Sequence, residues 1–294
     1  MAESFLTIVG ILAPAVLLAL IGFIWVHRGA EYPVPFVTML VINIGLPALL
    51  FHTLATSTVN LASLGQIALA AVVVQIISTC IAVSQLKLAG KDWRLAVAHV
   101  VGNTGNLGLP LCLLAFGEEG LAYAMAYFAV QCLFMFSFGD AIYAGRFSVS
   151  ALFRSPILAA VIAGVAVRIF DVSMPAVLMD TTRLLSGLVI PIMLITLGVS
   201  LASLRVHQLT SSLFWSLIRT GVAIFVGFSV ATVFQLEGVA RGVLIIEATV
   251  PVAVFNFLLA HKHGRDSSEV AGLILITHVA ALFYLPIILY IVLP

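Results

Sequence analysis

The feature that most limits what this chain can fold into is its series of long, uninterrupted apolar stretches. Hydrophobic residues make up 63% of the 294 residues and charged residues only 9%, whereas soluble domains are about half apolar and about a quarter charged. A helix needs roughly 20 apolar residues to cross a bilayer. The stretches do not alternate apolar and polar residues, as transmembrane β-strands would. The sequence therefore predicts an all-α integral membrane protein embedded in a lipid bilayer.

Charges, glycines and prolines divide the apolar sequence into ten predicted transmembrane helices, called spans 1 to 10. They cover residues 5–26, 34–54, 65–86, 94–116, 121–144, 156–170, 184–204, 213–235, 240–261 and 270–293. Ten spans leave only short connections and no room for a soluble domain.

The lysines and arginines predict the orientation of these spans. Nine of the 13 lie in odd-numbered loops, Arg146 and Arg154 among them, and three lie in even-numbered loops. Positive loops stay in the cytoplasm, so we expect both termini outside. The net charge of +1 provides no basic surface for nucleic acid.

The two halves of the chain share a local pattern. Asn43-Ile-Gly-Leu-Pro47 in span 2 has a counterpart in Gly187-Leu-Val-Ile-Pro191 in span 7, and the two prolines are 144 positions apart. Repeats over about 1–146 and 150–294 would each hold five spans, so they would insert with opposite topology. Inverted repeats of this kind are typical of secondary transporters.

Helix-breaking and polar residues interrupt the middle of span 4. They are Gly102, Asn103, Thr104, Gly105, Asn106, Gly108 and Pro110. Glycine and proline weaken a helix, and unwound backbone at membrane depth persists only when it is buried or lines a cavity. Amide and hydroxyl groups there offer hydrogen bonds to a ligand. The alternative is close helix packing through small residues.

Span 9 has a matching interruption at Pro251. Glu247 follows Asn103 by 144 positions, the same offset as the proline pair, and Thr249 and Asn256 flank the break. If spans 4 and 9 both break and cross, two helix N-termini meet, and their positive ends favour an anion. A glutamate inside a span is a functional candidate, although a structural, hydrogen-bonded carboxyl is the alternative for Glu247.

Three further polar residues inside spans carry weaker signals. Asn43 is a candidate substrate contact or a helix-packing residue. We expect His278 to be a core histidine with satisfied hydrogen bonds rather than a proton relay. For Arg219 the alternatives are a side chain that extends to the membrane surface, which we expect, and a substrate contact.

The segments 103–111, 116–123 and 247–251 resemble those of the auxin efflux carrier family. This family includes plant auxin exporters and bacterial permeases for malate, malonate and similar anions. The resemblance implies the fold of bile-acid sodium symporters, with spans 1, 2, 6 and 7 as a scaffold and spans 3–5 and 8–10 as a moving transport domain. It also implies a substrate site at the crossing of spans 4 and 9. Plant members pair as homodimers through the scaffold, whereas symporters of related fold can be monomers, so the resemblance leaves both oligomeric states open.

The chain departs from the plant members of that family at several positions. Gly102 and Asn256 stand where those members have proline, Glu247 stands where they have glutamine, and the link at 145–155 is short. Auxin itself is therefore not implied as the substrate, and the compact form resembles bacterial inner-membrane members. The counterpart of Glu247 binds sodium in bile-acid symporters.

Together these patterns predict a secondary active transporter of small organic anions, either malate- or malonate-like carboxylates or auxin-like acids. The expected substrate contacts are Asn103, Thr104, Asn106, Thr249, Asn256 and Asn43. Glu247 would carry a coupling proton or sodium ion; no cofactor and no other metal are expected. A passive anion channel or uniporter, and a sodium symporter of a larger organic acid, are the alternatives. Nothing in the sequence has the pattern of an enzyme's nucleophile–base pair or metal cluster.

Overall fold

The computed structural model describes residues 2–144, 155–206 and 208–293, and these residues are helical almost throughout. The prediction of an all-helical chain is confirmed for them. Seven helical stretches within these ranges are long and apolar enough to cross a membrane, and the apolar helix Pro156–Ile169 is shorter. Arg146 and Arg154, with most of the link at 145–155, lie outside the described residues.

The described residues form thirteen α-helices. In chain order, α1 to α13 are Ala2–His27, Val34–Leu40, Leu46–Thr56, Leu61–Leu88, Ala96–Val100, Leu109–Phe134, Asp140–Ala144, Pro156–Ile169, Ala176–Ser203, Leu209–Val233, Gly238–Thr249, Phe255–Lys262 and Ser267–Val292. Three π-helical turns, Val41–Gly45, Thr104–Gly108 and Met135–Gly139, adjoin them.

The structure changes one predicted helix limit, the start of α9, and defines another, the division of α6. Helix α9 begins at Ala176, eight residues before the predicted start of span 7, because Asp180 and Arg183 do not end it. These two residues pair on an exposed face, 3.1 Å apart. Within α6, Gly117 has φ 64° and ψ −153°, a positive-φ conformation that glycine adopts without a steric penalty. It divides α6 between the predicted spans 4 and 5.

One group of helices consists of α1, α2, α3, α8 and α9. Helix α1 packs along α9, and α3 packs against both α8 and α9. The contact between α1 and α9 is backbone to backbone, because a Cβ at Gly198 would overlap the Ala19 carbonyl and a Cβ at Gly22 would overlap the Ile195 carbonyl. Small residues permit this close approach between membrane helices.

A second group comprises α4 to α7 and α10 to α13. Helix α6 packs against α4 and α11, and α10 packs against α4, α11 and α13. The two groups meet in several places, among them the contact of α9 with the turn Thr104–Gly108 and the contacts of α1 and α3 with α6. A Cβ added to Gly105 would lie 2.8 Å from the Met193 methyl carbon, so a glycine at this position lets the two groups approach closely.

Candidate functional site

Two extended breaks, one after α5 and one after α11, pair with each other. The chain leaves helical geometry at Val101 and again at Val250, and Gly102 and Val252 form an antiparallel bridge. The Asn103 N–H donates to the Pro251 carbonyl at 2.6 Å, and the Ala253 N–H donates to the Val101 carbonyl at 3.1 Å. Each break therefore satisfies backbone groups that the other exposes.

Side chains satisfy further backbone groups around this crossing. The Gln131 amide donates to the Gly102 carbonyl at 2.8 Å and to the Thr104 hydroxyl oxygen at 2.6 Å. The Asn256 amide donates to the Val101 carbonyl at 3.0 Å. Since no water is available in a bilayer core, these partners are what permits unwound backbone at this depth.

Helices α11 and α13 contribute the remaining supports. The Val252 N–H donates to the Thr277 hydroxyl at 3.2 Å, and the Tyr284 hydroxyl donates to the Thr249 carbonyl at 2.7 Å. The Thr249 hydroxyl itself donates to the Ile245 carbonyl at 2.7 Å. The Asn256 amide therefore supports the crossing, and the Thr249 hydroxyl is bonded within its own helix, although both side chains were expected to contact substrate.

A cavity of about 130 Å³ lies at the crossing, between the two helix groups. The first turn after Asn103 and the start of α12 at Phe255 both border it, and α2 and α9 close the opposite side. The N-terminal end of a helix carries a partial positive charge, although in α12 the N–H groups of Asn256 and Phe257 already donate to the Ala253 and Val254 carbonyls at 3.0 Å. Two such ends therefore face one small space.

The lining of this cavity is polar in places and uncharged. Its polar side chains are Thr38, Asn103, Thr104, Asn106, Gln131, Thr196 and Ser200. No Asp, Glu, Lys, Arg or His is among its lining residues in the part of the chain that the structure describes. A ligand would be held by hydrogen bonds and by the helix ends. A fully charged side chain could attract it only from a position that does not line the cavity.

The structure brings some of the candidate residues to the cavity and not others. Asn103, Thr104, Asn106, Gly102 and Gly105 line it. Away from it lie Asn43, Gly108, Pro110, Glu247, Thr249, Pro251 and Asn256. Asn43 is exposed, and its amide donates to the Met39 carbonyl at 2.9 Å within its own helix.

Glu247 lies behind the turn Thr104–Gly108. Its side chain is buried, and Oε2 has no hydrogen-bond partner. The Cys112 thiol approaches Oε1 at 3.7 Å. The carboxylate occupies the space that a Cβ on Gly108 would fill, so this glycine is required by the close contact. No Lys or Arg in the described ranges pairs with Glu247.

Arg219 does not extend to the membrane surface, and that expectation was wrong. Its side chain is only 2% exposed, and Nε and Nη1 have no hydrogen-bond partner. A Cβ on Gly102 would lie 3.3 Å from Arg219 Nη2. The guanidinium thus lies directly behind the glycine that borders the cavity. The sequence signal was its depth: ten residues into α10 is about 15 Å along the helix, half of the hydrocarbon core.

His278 lies on α13 beside the crossing, and both of its ring nitrogens have partners. Nδ1 is 2.8 Å from the Ile274 carbonyl oxygen, and Nε2 is 3.1 Å from Asn103 Nδ2. The expectation of a satisfied histidine agrees with these contacts, but sequence reasoning did not connect it to Asn103, 175 positions away.

Comparisons with known proteins point to transport. A family model described as membrane transport protein matches residues 7–150 and 144–289. An uncharacterized transporter from Methanothermobacter thermautotrophicus is 27% identical over 288 residues, covering 92% of this chain and 93% of that protein. An uncharacterized transporter from Methanocaldococcus jannaschii is 27% identical over 198 residues, covering 62% and 63% respectively. These names indicate a transporter rather than an enzyme.

Proposed function

The chain belongs to the auxin efflux carrier-like family of membrane transport proteins, and on this premise we propose that it is a secondary active transporter of small organic anions. The observation that carries the proposal is the uncharged cavity at the crossing, which two helix N-termini border and which Arg219 backs. Asn103, Thr104 and Asn106 contact the substrate.

The charge of Arg219 favours an anion in this cavity. The guanidinium is buried behind Gly102, and in the described residues no carboxylate pairs with it. At an effective dielectric constant of about 20, opposite unit charges about 8 Å apart attract by roughly 2 kcal/mol. Together with the helix ends, this attraction favours a carboxylate in the cavity.

The volume of the cavity favours a small substrate. At about 130 Å³ it lies below the range of roughly 300–1,000 Å³ that is usual for drug-sized ligands. Malate- and malonate-like carboxylates suit this space better than auxin-like aromatic acids, which would require the cavity to widen.

Transport requires the cavity to face each side of the membrane in turn. We infer ten spans in two inverted repeats, in which α6 divided at Gly117 completes spans 4 and 5, and α11 with α12 forms span 9. The group of α1, α2, α3, α8 and α9 is the scaffold, and the group of α4 to α7 and α10 to α13 moves against it as an elevator. The packing of these helices into two groups that meet at the cavity supports this division.

Glu247 is the coupling group in this proposal. It is a buried carboxylate without an ion-pair partner, directly behind the turn that contacts substrate. It binds either a proton or sodium, and sodium would take further oxygen ligands from the carbonyls at the breaks. The protein acts in the plasma membrane with both termini outside, as the loop charges indicate.

The test is uptake by purified protein in proteoliposomes. Radiolabelled malate, malonate, lactate and indole-3-acetate are supplied with an imposed proton gradient, a sodium gradient or neither. We expect accumulation of a small carboxylate above its external concentration, and its collapse when an ionophore removes the driving gradient. Equilibration without accumulation under every gradient would instead support the passive channel or uniporter.

A further inference from the structure

The hydrogen bonds of His278 determine its tautomer. A carbonyl oxygen only accepts, so the 2.8 Å contact with the Ile274 carbonyl requires a hydrogen on Nδ1. In the neutral imidazole Nε2 is then an acceptor. It accepts an N–H from Asn103 Nδ2 at 3.1 Å, and the two contacts are mutually consistent.

This bond fixes the orientation of the Asn103 carboxamide. The group is planar, and its oxygen and nitrogen point in different directions from the same carbon. Asn103 lines the cavity and His278 does not. With one amide hydrogen directed at His278, the amide oxygen stays free, and it is the acceptor that Asn103 offers to a ligand.

The hydroxyl group of the neighbouring Thr104 is instead available as a hydrogen-bond donor. Its hydroxyl oxygen accepts a hydrogen bond from Gln131 at 2.6 Å, so its hydrogen is left to donate. The unpartnered N–H groups of the first turn after Asn103 are also donors. Around Asn103, the cavity wall therefore combines donors, which suit a carboxylate, with the Asn103 amide oxygen as a nearby acceptor.

From this arrangement we infer that His278 is a positioning residue that makes the transporter select carboxylates bearing a hydroxyl group. The inference rests on the proposed function and specifies its substrate class. The carboxylate lies against Thr104 and the helix end, and the hydroxyl donates to Asn103 Oδ1. A polar group left without its partner in a desolvated site is costly, so an analogue that lacks the hydroxyl is rejected.

Pairs of acids that differ by one hydroxyl test the wild-type protein. L-malate is compared with succinate, and L-lactate with propionate. In each pair, the counterflow of one labelled acid in proteoliposomes is measured while the other acid is added as an inhibitor. We expect the hydroxy acid of at least one pair to be preferred by about tenfold or more, the value of roughly one hydrogen bond. Equal inhibition within every pair overturns the inference and leaves the proposed function standing. Transport of no carboxylate at all overturns the proposed function.

Two variants then test the role of His278. His278→Gln places an acceptor near the position of Nε2, whereas His278→Asn replaces only the Nδ1 side and does not reach Asn103. We expect the glutamine variant to keep the hydroxyl preference. In the asparagine variant, the preference ratio of hydroxy acid to deoxy acid should fall to about one. The affinity for the deoxy acids should change little. An unchanged preference in His278→Asn overturns the positioning role. Thermal unfolding in detergent reports whether each variant is folded, and if neither folds, the wild-type pairs still decide.

Discussion

The backbone N–H of Asn103 donates to the carbonyl of Pro251 at 2.6 Å, across a sequence separation of 148 residues. This bond joins the break of span 4 to the break of span 9 at the residue whose side chain also borders the cavity. Consequently the supports of the crossing and the proposed substrate contacts are adjacent. We therefore expect changes here to affect stability and transport by different amounts.

Gly102→Ala should destabilise the crossing. The new Cβ would lie 3.0 Å from Val250 Cγ2 and 3.3 Å from both the Val250 carbonyl oxygen and Arg219 Nη2. Overpacking of this kind costs about 1–3 kcal/mol, so we expect a lower midpoint of thermal unfolding in detergent and reduced uptake. Gly65→Ala is the matched control, because a Cβ there meets nothing within 4 Å. Equal stability of the two variants would show that the crossing tolerates a side chain.

Asn103→Ala should weaken substrate binding with a smaller effect on folding. The backbone bond to Pro251 remains, while the side-chain contacts with His278 and substrate are lost. We expect a rise in the KM for carboxylate uptake of about tenfold, from the loss of roughly one hydrogen bond. Asn43→Ala is the comparison, since Asn43 is exposed and lies away from the cavity, and its KM should not change. A normal KM in Asn103→Ala would assign Asn103 to helix packing.

Arg219→Gln should lower the affinity for anions and leave the shape of the crossing nearly intact. Removal of an attraction of roughly 2 kcal/mol corresponds to a rise of about thirtyfold in KM. Arg219→Lys keeps the charge and should retain most of the affinity. Arg183→Gln is the control, because Arg183 is exposed and pairs with Asp180 at the surface. If the glutamine and lysine variants behave alike, the guanidinium acts through packing and not through charge.

Glu247→Gln should separate exchange from accumulation. The amide is close to the carboxyl in shape and fits beside Gly108. However, it does not take up a proton near neutral pH, and it supplies no negative charge for a sodium ion. We expect the variant to exchange labelled for unlabelled substrate at nearly the wild-type rate and to fail to concentrate it under a proton or sodium gradient. Counterflow and gradient-driven uptake are measured in the same proteoliposomes. Wild-type accumulation by the variant would contradict the coupling role and make Glu247 a structural residue.

The sequence alone determined the features that depend on residues close to one another along the chain, namely the helices and the places where they break. Uninterrupted apolar stretches set the all-helical membrane fold, because backbone polar groups in a bilayer must be satisfied within the helix. The cluster of glycine and asparagine from Gly102 to Gly108, and Pro251, marked the two segments where the helices break. Three of the residues that border the cavity, Asn103, Thr104 and Asn106, follow from the same local signal.

Only the tertiary structure decided which polar side chains face the cavity. Helices that are apolar on every side carry little information about which face is buried, so the direction of each polar residue depends on the distant helices that pack against it. Packing placed Arg219 behind Gly102, Glu247 behind Gly108 and His278 against Asn103. It also directed Asn256 to the Val101 carbonyl rather than to a ligand, because an unwound backbone buried at this depth needs its hydrogen-bond partners before any side chain is free to bind substrate.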